Sequence, residues 1–183
     1  MTKKYTIDNI FSISTKQGDK GSSKNYSNES LPKHDVMFET IGTIDELSSL
    51  LGLTFHQTDY EQIKTIQRTL QSINSLIATN PSIDEEKYQS LRQIKEEDIG
   101  FIEKEEDVVF KRKQIEPKFH LPGSDTSRAN AYFDYARAVT RRAERMLVRY
   151  MQLRGRDDLA MSAKYLNRLS DLMFLLARNY QQS

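Results

Sequence analysis

Arg137-Ala138-Val139-Thr140-Arg141-Arg142-Ala143-Glu144-Arg145 is the stretch on which the reading of this chain turns. At about 100° per residue, a helix sends out Arg137, Arg141 and Glu144 within about 60° of one another, with Arg145 about 40° further round. On the same helix Tyr132, Ala136, Val139, Ala143, Leu147 and Tyr150 form a separate apolar stripe, the pattern of a helix packed on a core. The arginines therefore make a cationic strip beside a buried seam. A guanidinium fork suits bidentate binding of phosphate or carboxylate. The same residues also fit a solvated face with Glu–Arg pairs, each worth only a few tenths of a kcal/mol. The strip alone leaves both readings open.

Working outward, the 183 residues fit one domain over 1–183, divided into a loop segment over 1–42 and helices over 43–180. A formal net charge of +1 argues for neither nucleic acid nor an anionic membrane as partner. A phosphate site must then come from local concentration of charge, to which Arg142 and Arg149 add. Charged residues make up 29% and mean hydropathy is −0.68, as suits a soluble helical protein with wet outer faces. No apolar run approaches the ~20 residues of a membrane span, and the N-terminus lacks the apolar core of a signal peptide. The expected location is cytoplasmic.

Cysteine is absent, which removes disulfides, thiolate metal sites and cysteine nucleophiles together. His34, His56 and His120 lie far apart with no ligand spacing, so no protein metal site is expected. A zinc enzyme or a hydrolase with a histidine base is disfavoured. An enzyme with this inventory would work by positioning and charge stabilisation more than by proton transfer.

The helical signal starts at Thr43-Ile44-Asp45-Glu46, which reads as a capping box, and continues through Leu47, Leu50, Leu51 and Leu53–Phe55. A second helix is expected over about 60–78, where Ile63, Ile66, Leu70, Ile73 and Ile77 fall at spacings of three and four. Asn80-Pro81 stops it. Ser82-Ile83-Asp84-Glu85 reads as another capping box, opening a polar helix through about Val109. The fourth helix spans about 125–153 and is closed by Gly155. Asp157 or Asp158 is expected to cap a fifth that runs to about Tyr180. The result is an all-α, antiparallel five-helix bundle behind an irregular N-terminal segment.

Thr15-Lys16-Gln17-Gly18-Asp19-Lys20-Gly21-Ser22-Ser23 is a second candidate site. Its glycines could form a backbone nest for phosphate, with a lysine beside it; taken alone, the stretch is better read as a flexible exposed loop. Lys33 offers a further cation. Asp45 suits the first turn of a capped helix, or an ion pair with an arginine of the fourth helix across an interface. Phe119, before Leu121-Pro122-Gly123, is most simply a plug for the end of the bundle.

Taken in order, Thr15–Ser23, Gly42-Thr43-Ile44-Asp45-Glu46-Leu47, Leu121-Pro122-Gly123, Arg137–Arg145 and Tyr165-Leu166-Asn167-Arg168-Leu169-Ser170-Asp171 resemble the motifs of PduO-type ATP:cob(I)alamin adenosyltransferases. The resemblance implies a homotrimer of five-helix bundles with active sites at subunit interfaces. It implies transfer of the 5′-deoxyadenosyl group of ATP to the cobalt of cob(I)alamin, with triphosphate released and Mg²⁺ accompanying it. ATP would be held by Ser14, Thr15, Lys16, Gln17, Ser22, Ser23 and Lys33 together with Arg141, Arg142, Glu144, Arg145 and Asn167. Asp45 and Arg137 resemble the family's intersubunit ion pair, and Phe119 the residue covering the lower face of the corrin. A reductase or an adenosylcobalamin-dependent enzyme is an expected partner. The alternative is a non-catalytic ATP- or adenosylcobalamin-binding carrier or regulator of the same fold. The chain departs from the family after Ser23, where the usual apolar residue and glycine give way to Lys24-Asn25-Tyr26-Ser27-Asn28-Glu29.

Overall fold

The computed structural model describes residues 9, 16, 18–123 and 127–181. Among these the chain is mostly helical, with six helices and one small sheet. Strands β1 (Ser22–Lys24) and β2 (Ser30–Pro32) pair antiparallel, Ser23 opposite Leu31. The helices follow as α1 (Val36–Thr58), α2 (Gln62–Ala78), α3 (Glu85–Ser90), α4 (Glu96–Phe110), α5 (Arg128–Arg154) and α6 (Ala160–Asn179).

Three boundaries differ from those expected. α1 begins well before Thr43, because Asp35 caps it by accepting the N–H of Met37 at 2.9 Å. The buried spacing Met37, Thr40, Ile44, Leu47 continues upstream through a threonine that an apolar count passes over. Thr43 sits inside the helix and donates to Glu39 O at 2.7 Å, the back-bond of an internal threonine rather than a cap. The irregular N-terminal segment thus contains a hairpin and the first turns of a helix.

The polar helix expected through Val109 is two helices. Asp84 caps the short α3 by accepting Lys87 N–H at 3.2 Å, and the chain turns extended at Leu91. It restarts where the Asp98 carboxylate accepts the N–H of Lys95 at 3.0 Å. Buried Ile94 anchors this extended connection to the core. Gly100 sits within α4 and breaks nothing.

α5 ends as expected, with Gly155 left-handed at φ 62°. Neither Asp157 nor Asp158 caps α6, however. A 3₁₀ turn over Asp157–Leu159 leads into it without a side-chain cap, and Asp158 turns instead to Arg156 and Tyr88.

Cross-links fix the helix directions. α1 and α2 are antiparallel, with Gln67 donating to Ser48 O at 2.9 Å. So are α1 and α5, through Thr40 to Met146 O at 3.2 Å and the ion pair Arg154–Asp35. α4 runs parallel to α6, as Lys164–Glu96, Arg168–Glu103 and Asn179 to Val109 O show in sequence. One core joins them: Ile44, Leu51, Ile66, Ile73, Ile102, Phe133, Leu147, Leu166 and Leu172 are all buried. Among the described residues no helix is long and apolar enough to cross a membrane.

Candidate active site

α5 and α6 are locked antiparallel at two levels. Asp134 pairs with Arg178 in the interior, and Asn167 donates its amide to Glu144 at 3.0 Å. The second lock aligns the arginine strip with α6. Arg141, Glu144, Arg145 and Asn167 line one cleft of about 370 Å³, together with Arg149 and Gln152. The apolar stripe faces inward as expected: Ala136, Val139, Ala143, Leu147 and Tyr150 are buried, and Tyr132 packs against their edge.

Glu144 orients the cleft without neutralising it. It engages an amide, while Asn167 in turn accepts from Arg168 at 2.9 Å. Arg141 and Arg145 stay exposed, and among the described residues neither makes an ion pair. Two guanidinium forks on a rigid helix, one turn apart, are arranged for a polyanion. Arg142 projects elsewhere, towards α1, where it pairs with Glu46. Arg137 is half-buried, and its Nε is shut from solvent without a hydrogen-bond partner among the described residues.

The N-terminal candidates form a second group. Ser22 and Ser23 lie on β1, opposite Pro32 and Leu31. Lys33 follows β2, and its N–H donates to Gly21 O at 2.9 Å. Its side chain lies across Gly18, where a Cβ would come within 2.9 Å of Nζ and displace the tip of the lysine. Lys16 is exposed. Ser14, Thr15 and Gln17 fall outside the described residues. None of the described members of this group lines the arginine cleft.

Asp45 is exposed on α1, at the wall of a cavity of about 810 Å³ between the hairpin, α1 and α2. Lys24, Phe38, Gly42, Gln67 and Arg68 share that wall. Among the described residues, Asp45 and Arg137 make no ion pair with each other.

Phe119 does not plug the bundle. It is 85% exposed, and Leu121 is 66% exposed. Their turn is held from behind, where Gly123, at φ 73°, donates its N–H to Asp134 Oδ2 at 2.9 Å. His120 stacks edge-on against Phe174 with centroids 6.3 Å apart. The turn therefore presents an apolar ring outward from a fixed base.

Sequence reasoning missed two polar constructions. One is the Asp134–Arg178 pair behind that turn; Arg178 falls on a polar stripe of α6 that gives no sign of burial. The other centres on Arg156, which is buried. It donates to Leu76 O at 3.0 Å, Thr79 O at 3.2 Å and the Tyr150 hydroxyl at 3.1 Å, and it pairs with Asp158 at 2.9 Å. Tyr88 also donates to Asp158. Burial, then that bond to a carboxylate, pushes the Tyr88 hydroxyl up to about 12. Burial acts upward on Asp158 too, but the hydrogen bonds from Arg156 and Tyr88 hold its carboxyl below the usual range. The one available signal was an arginine directly after a C-terminal glycine.

A family model described as Cobalamin adenosyltransferase matches residues 13–180. The chain belongs to that family. Human corrinoid adenosyltransferase MMAB is 39% identical over 174 residues, covering 91% of this chain and 67% of that protein. A corrinoid adenosyltransferase of Citrobacter freundii is 31% identical over 171 residues, covering 92% and 94%. Among solved structures, a phenylalanine-to-alanine variant of a PduO-type ATP:corrinoid adenosyltransferase from Lactobacillus reuteri, complexed with cobalamin and ATP, matches with a TM-score of 0.79 and 28% identity, covering 91% of this chain and 92% of that one. An arginine-to-lysine variant from the same organism, complexed with ATP, matches with a TM-score of 0.76 and 28% identity, covering 90% and 91%. Cobalamin adenosyltransferase membership thus covers the hairpin, the arginine helix and α6 alike.

Proposed function

We propose that this chain is an ATP:corrinoid adenosyltransferase that moves the 5′-deoxyadenosyl group of ATP onto the cobalt of cob(I)alamin. The observation that carries the proposal is the cleft of Arg141, Glu144, Arg145 and Asn167, set in a member of the cobalamin adenosyltransferase family. Cobalt(I) supplies the electron pair: a Co–C5′ bond forms, the C5′–O bond breaks, and triphosphate leaves with that bond's electrons. No step calls for a histidine, cysteine or serine nucleophile. The chain's work is to align ATP with the metal and to meet the charge that grows on the leaving triphosphate. Arg141 and Arg145 do the latter, and Glu144 with Asn167 fixes their register.

Ser22, Ser23, Lys33 and Lys16 hold the nucleotide from the other side, with Ser14, Thr15 and Gln17 completing the loop. Arg142 joins them by exchanging its exposed Glu46 partner for phosphate, a pair worth at most about 1 kcal/mol. Mg²⁺ rides chiefly on phosphate oxygens, as it does in many nucleotide sites. Phe119 offers the corrin an apolar lower face without a lone pair for cobalt.

The long helices α1, α2, α4, α5 and α6 constitute the five-helix bundle, and three copies assemble with the active site between them. Two observations support this. The nucleotide hairpin and the arginine cleft are separate within one chain, and Arg137 and Asp45 each lack the other as partner. A second copy brings both sets together. The setting is cytoplasmic, with a reductase supplying cobalt(I).

Anaerobic incubation with ATP, Mg²⁺ and chemically reduced cobalamin should yield the adenosylcobalamin spectrum; an unchanged spectrum under verified reduction discards the activity. Mixing Arg141→Ala chains with Ser23→Ala chains should restore part of the rate, since some interfaces then hold two intact halves. No restoration in a mixed trimer places both halves within one subunit.

A further inference from the structure

The hairpin that carries Ser22 and Ser23 is too small to stand alone, since an isolated two-stranded hairpin is at best marginally stable in water. What holds it is its own turn, Lys24–Glu29, and the end of α2. Asn25 is buried, and its side-chain oxygen accepts the N–H groups of Ser27 at 3.0 Å and Glu29 at 2.9 Å. Its amide donates to the Glu29 carboxylate at 2.6 Å. Asn28 takes the left-handed conformation at φ 62°, which asparagine tolerates better than most residues.

The folded tip then docks on the end of α2. Tyr26 N–H donates to Ala78 O at 2.8 Å, satisfying a carbonyl that the helix end leaves unpaired. The Asn80 N–H donates to the Ser27 hydroxyl at 2.9 Å, and the Asn80 amide reaches the Glu29 carboxylate at 3.2 Å. Arg156 takes Leu76 O and Thr79 O at the same helix end. The terminus of α2 is therefore shared between the nucleotide hairpin and the corner just beyond the arginine helix.

We infer that Glu29 and Asn80 are positioning residues for ATP, latching the nucleotide hairpin onto the bundle while touching neither substrate. This rests on the assignment of Ser22 and Ser23 to ATP. A hydrogen bond to a charged group contributes enough to change an equilibrium about tenfold, and that is the size of effect expected on ATP.

Glu29→Gln removes the shared carboxylate. Asn80→Asp keeps the oxygen that accepts Ser82 N–H at 3.0 Å but turns a carboxylate on Glu29. Each variant should raise the KM for ATP about fivefold to tenfold, with kcat and the KM for cob(I)alamin within twofold of wild type. The double variant should be no worse than the more impaired single one, because both act through one contact. Unchanged ATP constants in both variants overturn the latch, as does a parallel loss for ATP and corrinoid with lowered thermal stability, which marks a merely structural contact. Ser23→Ala is the control: wild-type ATP constants there would remove the nucleotide assignment itself, and the latch with it.

Discussion

α5 and the corner beyond it carry arginines of two kinds. Arg141 and Arg145, mid-helix, stand exposed beside a carboxylate that is committed to Asn167. Arg154 pairs with Asp35, and Arg156 is buried with donors directed to two carbonyls, a hydroxyl and Asp158. Burial alone would lower the pKa of Arg156, but the hydrogen bond to Asp158 and the charges around it hold it above the usual value. The contrast separates an arginine that builds the frame from one that stays exposed, which we propose serves the triphosphate. The first is satisfied within the chain; the second has no ion pair among the described residues.

The sharpest way to break that distinction is to truncate one of each. Arg141→Ala should cost about 10²–10³-fold in kcat, the usual penalty for losing one donor to developing charge, while the melting temperature moves by no more than about 2 °C. Arg141→Lys should recover part of the rate, since a point charge replaces the fork. Turnover of Arg141→Ala within tenfold of wild type would end its assignment to the triphosphate. Arg156→Met should do the reverse. Removing the buried guanidinium leaves Leu76 O, Thr79 O and the Tyr150 hydroxyl without their donor, at a cost of about 3 kcal/mol, or about 10 °C in a domain of this size. Enzyme that remains folded should keep its kcat. Full thermal stability in that variant would show that α2 and the corner after α5 are joined by packing alone.

The same contrast explains what the sequence could disclose. Periodicity found the five long helices and the inward stripe of α5, because apolar spacing reports burial directly. It also put Arg137, Arg141 and Glu144 on one face with Arg145 just beyond; the cleft contains Arg141, Glu144 and Arg145, while Arg137 lies outside it. It placed the start of α1 too late, because the stripe runs on through Thr40, which a hydropathy count does not register. It joined α3 to α4, because the break depends on Asp98 folding back to one N–H and on Ile94 finding the core from an extended segment. The hairpin was invisible: strands of three residues have no period to read, and their support comes from Asn80, far away in sequence. Arg156 and the Asp134–Arg178 pair look like surface polar residues until the helices that bury them are assembled. Long-range polar closure has no local signature.

Glu106 gives the smallest test, and it is the inverse of Arg156. It lies on α4, half-buried beside α6, with Oε1 shut from solvent and without a hydrogen-bond partner among the described residues. Burial, and then the charge of Asp171, push its carboxyl from 4.5 up to about 7, with Arg168 opposing. The folded chain thus holds this proton more tightly than the unfolded one. The stability it confers is fully present below about pH 4.5 and is lost as pH rises through about 7. Solvent screening reduces the effect at a half-exposed site, so about 1 kcal/mol is a reasonable size. Glu106→Gln should therefore raise the melting temperature by about 2–4 °C at pH 8 and leave it nearly unchanged at pH 4.5. Thermal melts of both proteins across that range decide the matter. A variant whose shift is the same at both ends would mean that shape, not charge, sets the cost at this position, and that an unpartnered carboxylate between α4 and α6 is already adequately solvated.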